Sequence, residues 1–209
     1  MMKGNTAEDP RIVLDLLASV GREGDRSQRV RASEFGVALG LVNFYLKFCV
    51  QKGYIKVKRI PARRYIYFLT PMGFAEKSRL TVLLLSNSLA FFRQARSDYS
   101  EVLKTAEARG WTRVALAGAS ELAEISTLCA LETGITITAV IDPNFPGERF
   151  IDLPVVRSFE AAGTFDGVIV TDRFAPQQGF DSAVAALGPD RVLAPSLLGI
   201  TTSASRAAA

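Results

Sequence analysis

Five cations, Lys56, Lys58, Arg59, Arg63 and Arg64, crowd the stretch YIKVKRIPARRYIYFL, Tyr54 to Leu69. Ammonium and guanidinium groups at that density suit one chemistry above others, the binding of phosphate oxygens. Upstream, Gly40, Asn43, Phe44 and Lys47 recur at spacings that put them on one side of a helix. Asn pairs with an adenine edge, Phe meets a thymine methyl, Lys meets guanine or phosphate, and Gly lets a helix start come close. A third group follows a short apolar run: Gly118-Ala119-Ser120-Glu121, with Asp142 standing 24 residues after Gly118. Small residues at a strand-to-helix turn aim backbone N–H groups at phosphate. An acid about 20 residues further on is of the type that binds ribose hydroxyls.

Each group has a plainer reading beside it. Phe44 can be core, and its helix face plain solvent. The turn reads Gly118-Ala119-Ser120-Glu121-Leu122-Ala123, so only the first glycine of Gly-x-Gly-x-x-Gly is present. Glu121 would repel a pyrophosphate there, although it suits the helix dipole. A sheet-to-helix turn without any ligand explains the same residues.

The elements that position these groups follow from periodicity. Arg11 to Val20 reads as a first helix, opened by Pro10. Ser27 caps a second, Gln28 to Phe35, which stops at Gly36. Ala38 to Lys52 reads as a third, closed by Gly53, with Val42, Leu46 and Cys49 on its inner face. Strands at Tyr54–Lys58 and Arg64–Leu69 form a hairpin. Pro71 opens a helical stretch to about Arg109, which Ser86-Asn87-Ser88 is expected to kink or divide. Beyond Trp111, strands at Arg113–Ala117, Ile135–Ile141, Leu153–Val156, Phe165–Thr171 and Arg191–Leu197 alternate with helices at Glu121–Thr133 and Pro176–Leu187 and a small one from Ser158. That alternation predicts a parallel sheet covered on both faces. The expected fold class is thus an α+β winged helix-turn-helix followed by an α/β Rossmann-like parallel-sheet domain. Its divisions are 1–75, a helical linker or dimerisation segment 76–110, an α/β domain 111–200, and a disordered tail 201–209.

Charge is divided along the chain. Residues 1–80 hold 15 Lys and Arg against 7 Asp and Glu, and residues 81–209 hold 10 against 14. One half is suited to a polyanion and the other is not. Histidine is absent, which removes Ser-His and Cys-His catalysis and every His-ligated metal site. No nucleophile–base pair is visible, so no catalytic residue and no metal ligand is assigned, and an enzyme is not expected. Cys49 and Cys129 read as buried small hydrophobes rather than a disulfide framework. The absence of a long apolar run and of a signal-like start points to a cytoplasmic location with no membrane partner.

Three helices followed by a basic hairpin is the order of a winged helix-turn-helix, whose third helix enters the major groove while the hairpin, or wing, lies along phosphates. On that reading the DNA contacts are Ser27, Gln28, Arg29, Gly40, Asn43, Phe44, Lys47, Lys58, Arg59, Arg63 and Arg64. SQRVRASEFGVALGLVNFYLKFCVQKGYIKVK and RYIYFLTPMGFAEKSRLT resemble the MarR-type winged-helix regulators associated with exopolysaccharide gene clusters. Ser27-Gln28-Arg29, Leu39-Gly40-x-Val42-Asn43, Leu46-Lys47, Lys52-Gly53, and Leu69-Thr70-Pro71-x-Gly73 with Glu76-Lys77 carry the likeness. It covers about residues 10 to 81 and implies a DNA-binding transcriptional regulator, a homodimer on double-stranded DNA. This chain departs from that short family by carrying well over a hundred further residues. Those residues, through VALAGAS, AVIDPN, LPVV and FDGVIVTD, resemble the Rossmann-like N-terminal domains of nucleotide-sugar acyltransferases. The overall layout is similar to the Rex redox repressors, which join a winged helix to an NAD(H)-binding domain. These likenesses imply a small-molecule effector held near Gly118, Ala119, Ser120, Glu121 and Asp142. Nucleotide, nucleotide-sugar and dinucleotide are the candidates, and no cofactor is required. A Rex-like NAD(H) sensor and a winged-helix protein-interaction module are the alternatives. In the long helical stretch, Leu80, Leu83, Leu84, Leu89, Phe91, Phe92, Tyr99, Val102 and Leu103 either dimerise the chain or pack on its own C-terminal domain.

Overall fold

The computed structural model describes residues 9–60 and 64–201. Two compact units divide the chain, one ending at Leu89 and the other beginning at Ala90. The tail 202–209 and Arg63 lie outside the described residues, as does the side chain of Arg64.

The first unit begins with α1, Pro10–Arg22. Asp9 caps it, its Oδ1 accepting from the Arg11 N–H at 2.8 Å, and proline suits the first helical position. Val13, Leu16, Leu17 and Val20 form its buried stripe. α2, Gln28–Glu34, is capped by the Ser27 hydroxyl, and α3, Leu39–Gln51, follows after four residues. Gly36, at φ +64°, allows that tight turn. The chain bends by 112° between α2 and α3, within the range of a helix-turn-helix pair. Val42, Leu46 and Cys49 are buried as their spacing predicts, and Tyr45 joins them, its hydroxyl accepting from the Asp9 N–H at 2.9 Å. Gly53, at φ +75°, closes α3 and turns the chain into β1, Ile55–Ile60, which pairs antiparallel with β2, Arg64–Leu69.

Two close approaches hold this unit together. A Cβ on Gly24 would overlap the Tyr67 carbonyl, and the Tyr67 N–H donates to the Gly24 carbonyl at 2.9 Å. The loop between α1 and α2 therefore anchors the hairpin's base. Arg31 sits wholly buried beneath it, donating to the Ser19 hydroxyl at 2.8 Å and the Glu23 carbonyl at 2.7 Å, with its guanidinium over the Tyr67 ring. Burial pushes this arginine's pKa below its ordinary value. Thr70 explains the Thr-Pro-x-Gly sequence that opens α4, Pro71–Ala108. Its hydroxyl accepts from the Gly73 N–H at 3.0 Å and donates to the Gly53 carbonyl at 2.7 Å. Gly73 lacks a Cβ because one would overlap the Tyr54 carbonyl.

α4 is a single helix, so Ser86-Asn87-Ser88 neither divides nor ends it. The Ser88 hydroxyl donates to the Leu84 carbonyl one turn back, at 3.0 Å, and so is satisfied without breaking the ladder.

In the second unit a six-stranded sheet has the order β5-β6-β4-β3-β7-β8. Its strands are β3 Arg113–Ala117, β4 Thr136–Ile141, β5 Arg149–Phe150, β6 Leu153–Val156, β7 Gly167–Val170 and β8 Val192–Leu193. All neighbours are parallel except the short edge pair β5 and β6. The sequence reading did not foresee β5, which is two residues long, and expected β8 to run to Leu197. Instead Ser196–Leu198 forms a 3-10 turn whose Leu197 N–H bonds to Asp98 at 2.8 Å, which takes it out of the sheet. Alternate residues face opposite layers. Val114, Leu116, Val140 and Ile169 pack with α5, Glu121–Ala130, and with Tyr99, Leu103 and Ala106 of α4. Ala115, Ala117, Val168 and Val170 pack with α6, Pro176–Leu187. Tyr99 is fully buried and donates to the Val170 carbonyl at 2.9 Å, and burial pushes its hydroxyl above the usual tyrosine range. No single helix among the described residues is long and apolar enough to cross a membrane.

Candidate nucleic-acid interface

The outer side of α3 is set by the same periodicity that buries its inner side. Gly40, Phe44 and Lys47 are exposed and Asn43 is partly so. Phe44 is 46% exposed, edge-on to the buried Tyr45 ring at 5.3 Å. It is therefore not core, and an apolar ring is presented to solvent where a partner would meet it.

Along β1 only Ile55 is buried, while Lys56, Val57, Lys58 and Arg59 are all exposed. β1 thus turns its side chains to solvent beyond its first residue, while β2 reaches the core through Tyr67. In its ladder Val57 lies opposite Tyr67 and Arg59 opposite Tyr65, so Val57, Tyr65 and Tyr67 share one face. That face and α3 line a common groove of about 400 Å³, shared by Gln28, Asn43, Lys47, Val50, Val57 and Tyr65. Sequence reading missed Val50, Gln51, Val57 and Tyr65 as groove residues. Val50 was legible in principle, seven residues after Asn43 on the same side of α3.

Some cations of this unit are tied to carboxylates. Arg22 and Arg26 are bound to Glu34, Arg26 also to Glu23, and Arg79 to Glu76 at 2.7 Å. Among the described residues Arg29, Lys47, Lys56, Lys58 and Arg59 have no ion-pair partner; Arg11, Arg31, Lys52 and Lys77 also have none, but Arg31 is buried against Tyr67 and Lys52 lies over the Phe48 ring. Unpaired cations on α3 and the hairpin leave a positive field that no neighbouring carboxylate cancels.

The remaining sequence candidates divide. Ser27 is engaged as the cap of α2, accepting from the Val30 N–H at 3.3 Å. Gln28 donates to the Tyr67 hydroxyl at 2.9 Å and lines the groove. Arg29 is exposed. Gly40, Phe44, Lys58 and Arg59 lie outside the groove's lining.

In the second unit the five candidate residues are brought together, but largely by contacts with one another, with Ile141 of β4 and with the segment that follows β7. The Gly118 N–H donates to the Ile141 carbonyl at 2.9 Å and the Ala119 N–H to Asp142 Oδ2 at 3.0 Å. Ser120 donates to the Thr171 carbonyl at 2.5 Å and accepts from the Leu122 N–H at 3.1 Å. Glu121 pairs with Arg173 at 2.9 Å. Asp142 Oδ1 accepts from the Asn144 and Phe145 N–H groups at 2.9 and 3.1 Å. Gly118 has φ +107°, and a Cβ there would lie 2.6 Å from the Asp172 Cα. Its glycine serves the approach of β3 to β7. Donors that a phosphate would require at Gly118 and Ala119 are already donated, and three of the acceptor sites of Asp142 are in use.

No protein-family model matches the sequence, and no curated protein matches it. Among solved structures the chain is similar to the PcaV transcriptional regulator from Streptomyces coelicolor, determined in complex with its natural ligand. Identity is 21% and the TM-score 0.37, over 42% of this chain. This chain spans 63% of that regulator's length.

Proposed function

We propose that this chain is a DNA-binding transcriptional regulator. Its first unit acts as a winged helix-turn-helix, with α3 in the major groove and the hairpin along the phosphates. The observation that carries the reading is the set of unpaired cations on α3 and the hairpin, beside cations that are tied to carboxylates elsewhere in the same unit. Asn43 reads base edges, Lys47 meets guanine or phosphate, and Lys58 and Arg59 hold the backbone. Val82, Leu85, Leu89 and Phe92 recur at spacings of three, four and three along α4, and all are exposed. That spacing is a seam for a second copy of the helix, and a two-fold dimer suits a palindromic operator. The resemblance of residues 10 to 81 extends the proposal to genes of exopolysaccharide synthesis.

The second unit, with its reversal of strand order between β4-β3 and β7-β8, serves as a Rossmann-like sensor or scaffold. A ligand that favours one dimer geometry would change the spacing of the two α3 helices and hence DNA affinity. The Rex-like alternative requires pyrophosphate on the turn at Gly118 and Ala119, whose N–H groups are engaged within the fold. An interaction module leaves the unpaired cations without a purpose.

Titrating labelled duplex DNA at rising salt tests the reading. Affinity should fall linearly on logarithmic axes, with a slope of about −0.9 for each phosphate neutralised. Binding too weak to detect on upstream DNA at low salt would sink the proposal.

A further inference from the structure

A cleft of about 310 Å³ opens where the C-terminal ends of β3, β4 and β7 meet α6. The strand order reverses there, and ligands of open α/β sheets collect at such points. Small-molecule sites run from roughly 300 to 1,000 Å³, so this one has room for a single ring and not for a dinucleotide.

The polar groups around it decide what kind of ring. Arg157 is the one cation lining the cleft among the described residues. Its Nη1 donates to the carbonyls of Asp142 at 3.1 Å, Pro143 at 3.3 Å and Phe145, and its Nη2 to that of Gly147 at 3.4 Å. The loop 142–147 therefore fixes this guanidinium through backbone carbonyls. Asp142 has both oxygens occupied by backbone N–H groups. Asp172 differs. Its Oδ1 accepts from the Phe174 and Ala175 N–H groups at 2.8 and 3.1 Å, while its Oδ2 has no partner among the described residues. Gln178 and Ser182 of α6 stand beside it as further hydrogen-bonding groups. Ile141, Pro143 and Phe159 make the wall apolar.

We propose that this cleft binds a neutral polyhydroxylated ring, its hydroxyl edge on Asp172, Gln178 and Ser182 and its C–H face on the apolar wall. Two carboxylates against one engaged guanidinium repel phosphate, whereas a carboxylate oxygen with free lone pairs accepts from hydroxyls. The inference rests on the reading of the second unit as a sensor, and it moves the ligand from the Gly118 turn to the α6 side of the crevice.

Calorimetric titration of the full chain tests it, with neutral pentoses, hexoses, cyclitols and nucleosides, each beside its phosphate ester, and with a dinucleotide. One neutral polyol should bind saturably, and its phosphate ester at least about tenfold more weakly. Asp172→Asn keeps an Oδ1 acceptor for the loop and should weaken binding about tenfold. Ser182→Phe places a ring in the cleft from an exposed helix position, and should abolish binding at an unchanged melting temperature. Equal or tighter binding of the phosphate ester, no binding by any neutral member, or full binding by Ser182→Phe overturns the inference. DNA binding by the same preparation separates that failure from failure of the regulator reading.

Discussion

On the outer side of α3 and on β1, cations reach solvent without ion-pair partners; at the C-terminal ends of β3 and β4, nearly every polar group is bonded to the fold itself. Lys47, Lys58 and Arg59 belong to the first kind. Ser120, Glu121, Asp142 and Arg157 belong to the second. Both regions carry residue types associated with phosphate. What separates them is whether the donors are already donated. A buried or engaged donor costs its existing bond before it can meet a ligand, so residue type alone does not mark a site.

The largest expected effect tests the engaged region. Gly118→Ala forces a side chain into a left-handed backbone and against the Asp172 backbone at 2.6 Å. We expect a loss of about 3 kcal/mol or more in unfolding free energy. Trp111 is the chain's single tryptophan and packs on Gly167 in the second unit, so its fluorescence follows that unit alone. A variant of wild-type stability that had lost affinity for a nucleotide would reverse the comparison and return the turn to ligand binding.

The exposed region should behave in the opposite way, with function lost and stability kept. Lys58→Ala with Arg59→Ala should weaken every duplex alike and flatten the salt dependence by a slope of about 2. Asn43→Ala should cost about 1–3 kcal/mol on the preferred operator and little on random DNA. Competition titrations with both DNAs read the two effects apart. Equal losses on both DNAs for Asn43→Ala would remove it from base reading.

The seam on α4 is a further exposed set, apolar rather than charged. Leu85→Asp with Leu89→Asp puts like charges at adjacent seam positions and should convert a dimer to a monomer in sedimentation. An unchanged mass would leave the dimer interface elsewhere. At the other end of α4, Tyr99, Val102, Leu103 and Ala106 are buried in the second unit's core. Sequence reading offered dimerisation and self-packing as alternatives for one stretch, and the helix assigns self-packing to its C-terminal third.

That division shows what was legible and what was not. Helix and strand types followed from short-range periodicity, as at Val42, Leu46 and Cys49. The exposed side of α3 followed as its complement. Long-range backbone contacts were illegible. Gly24 gives no sign of its role, because its partner Tyr67 is 43 residues away in sequence. Gly118 read as a phosphate turn, because the sequence does not show that Asp172 lies against it. The kink expected at Ser86-Asn87-Ser88 failed for a local reason, since serine in a helix can bond to the preceding turn.

The smallest effect is one of pH, and it belongs to a carboxylate on α4 that is likewise bonded to the fold. Asp98 is only 6% exposed. Burial pushes its carboxyl upward, but hydrogen bonds from Ser196 at 2.6 Å, the Leu197 N–H at 2.8 Å and Gln94 at 2.6 Å outweigh it and hold it below the usual 3.8. A depressed folded-state pKa stabilises the fold above the unfolded value and ceases to do so as pH falls through the folded one. Asp98→Asn should therefore cost of order 1 kcal/mol at neutral pH. The gap between variant and wild type should close as pH drops below 3.8. Trp111-monitored denaturation at a series of pH values reads that gap. Lys47→Ala, which removes an exposed group without an ion-pair partner, should leave the first unit's unfolding free energy within about 0.5 kcal/mol of wild type, followed by far-UV circular dichroism. A loss of about 1 kcal/mol or more there, the size of one lost hydrogen bond, would mean that the exposed face is engaged after all, and the contrast between the two regions would fail.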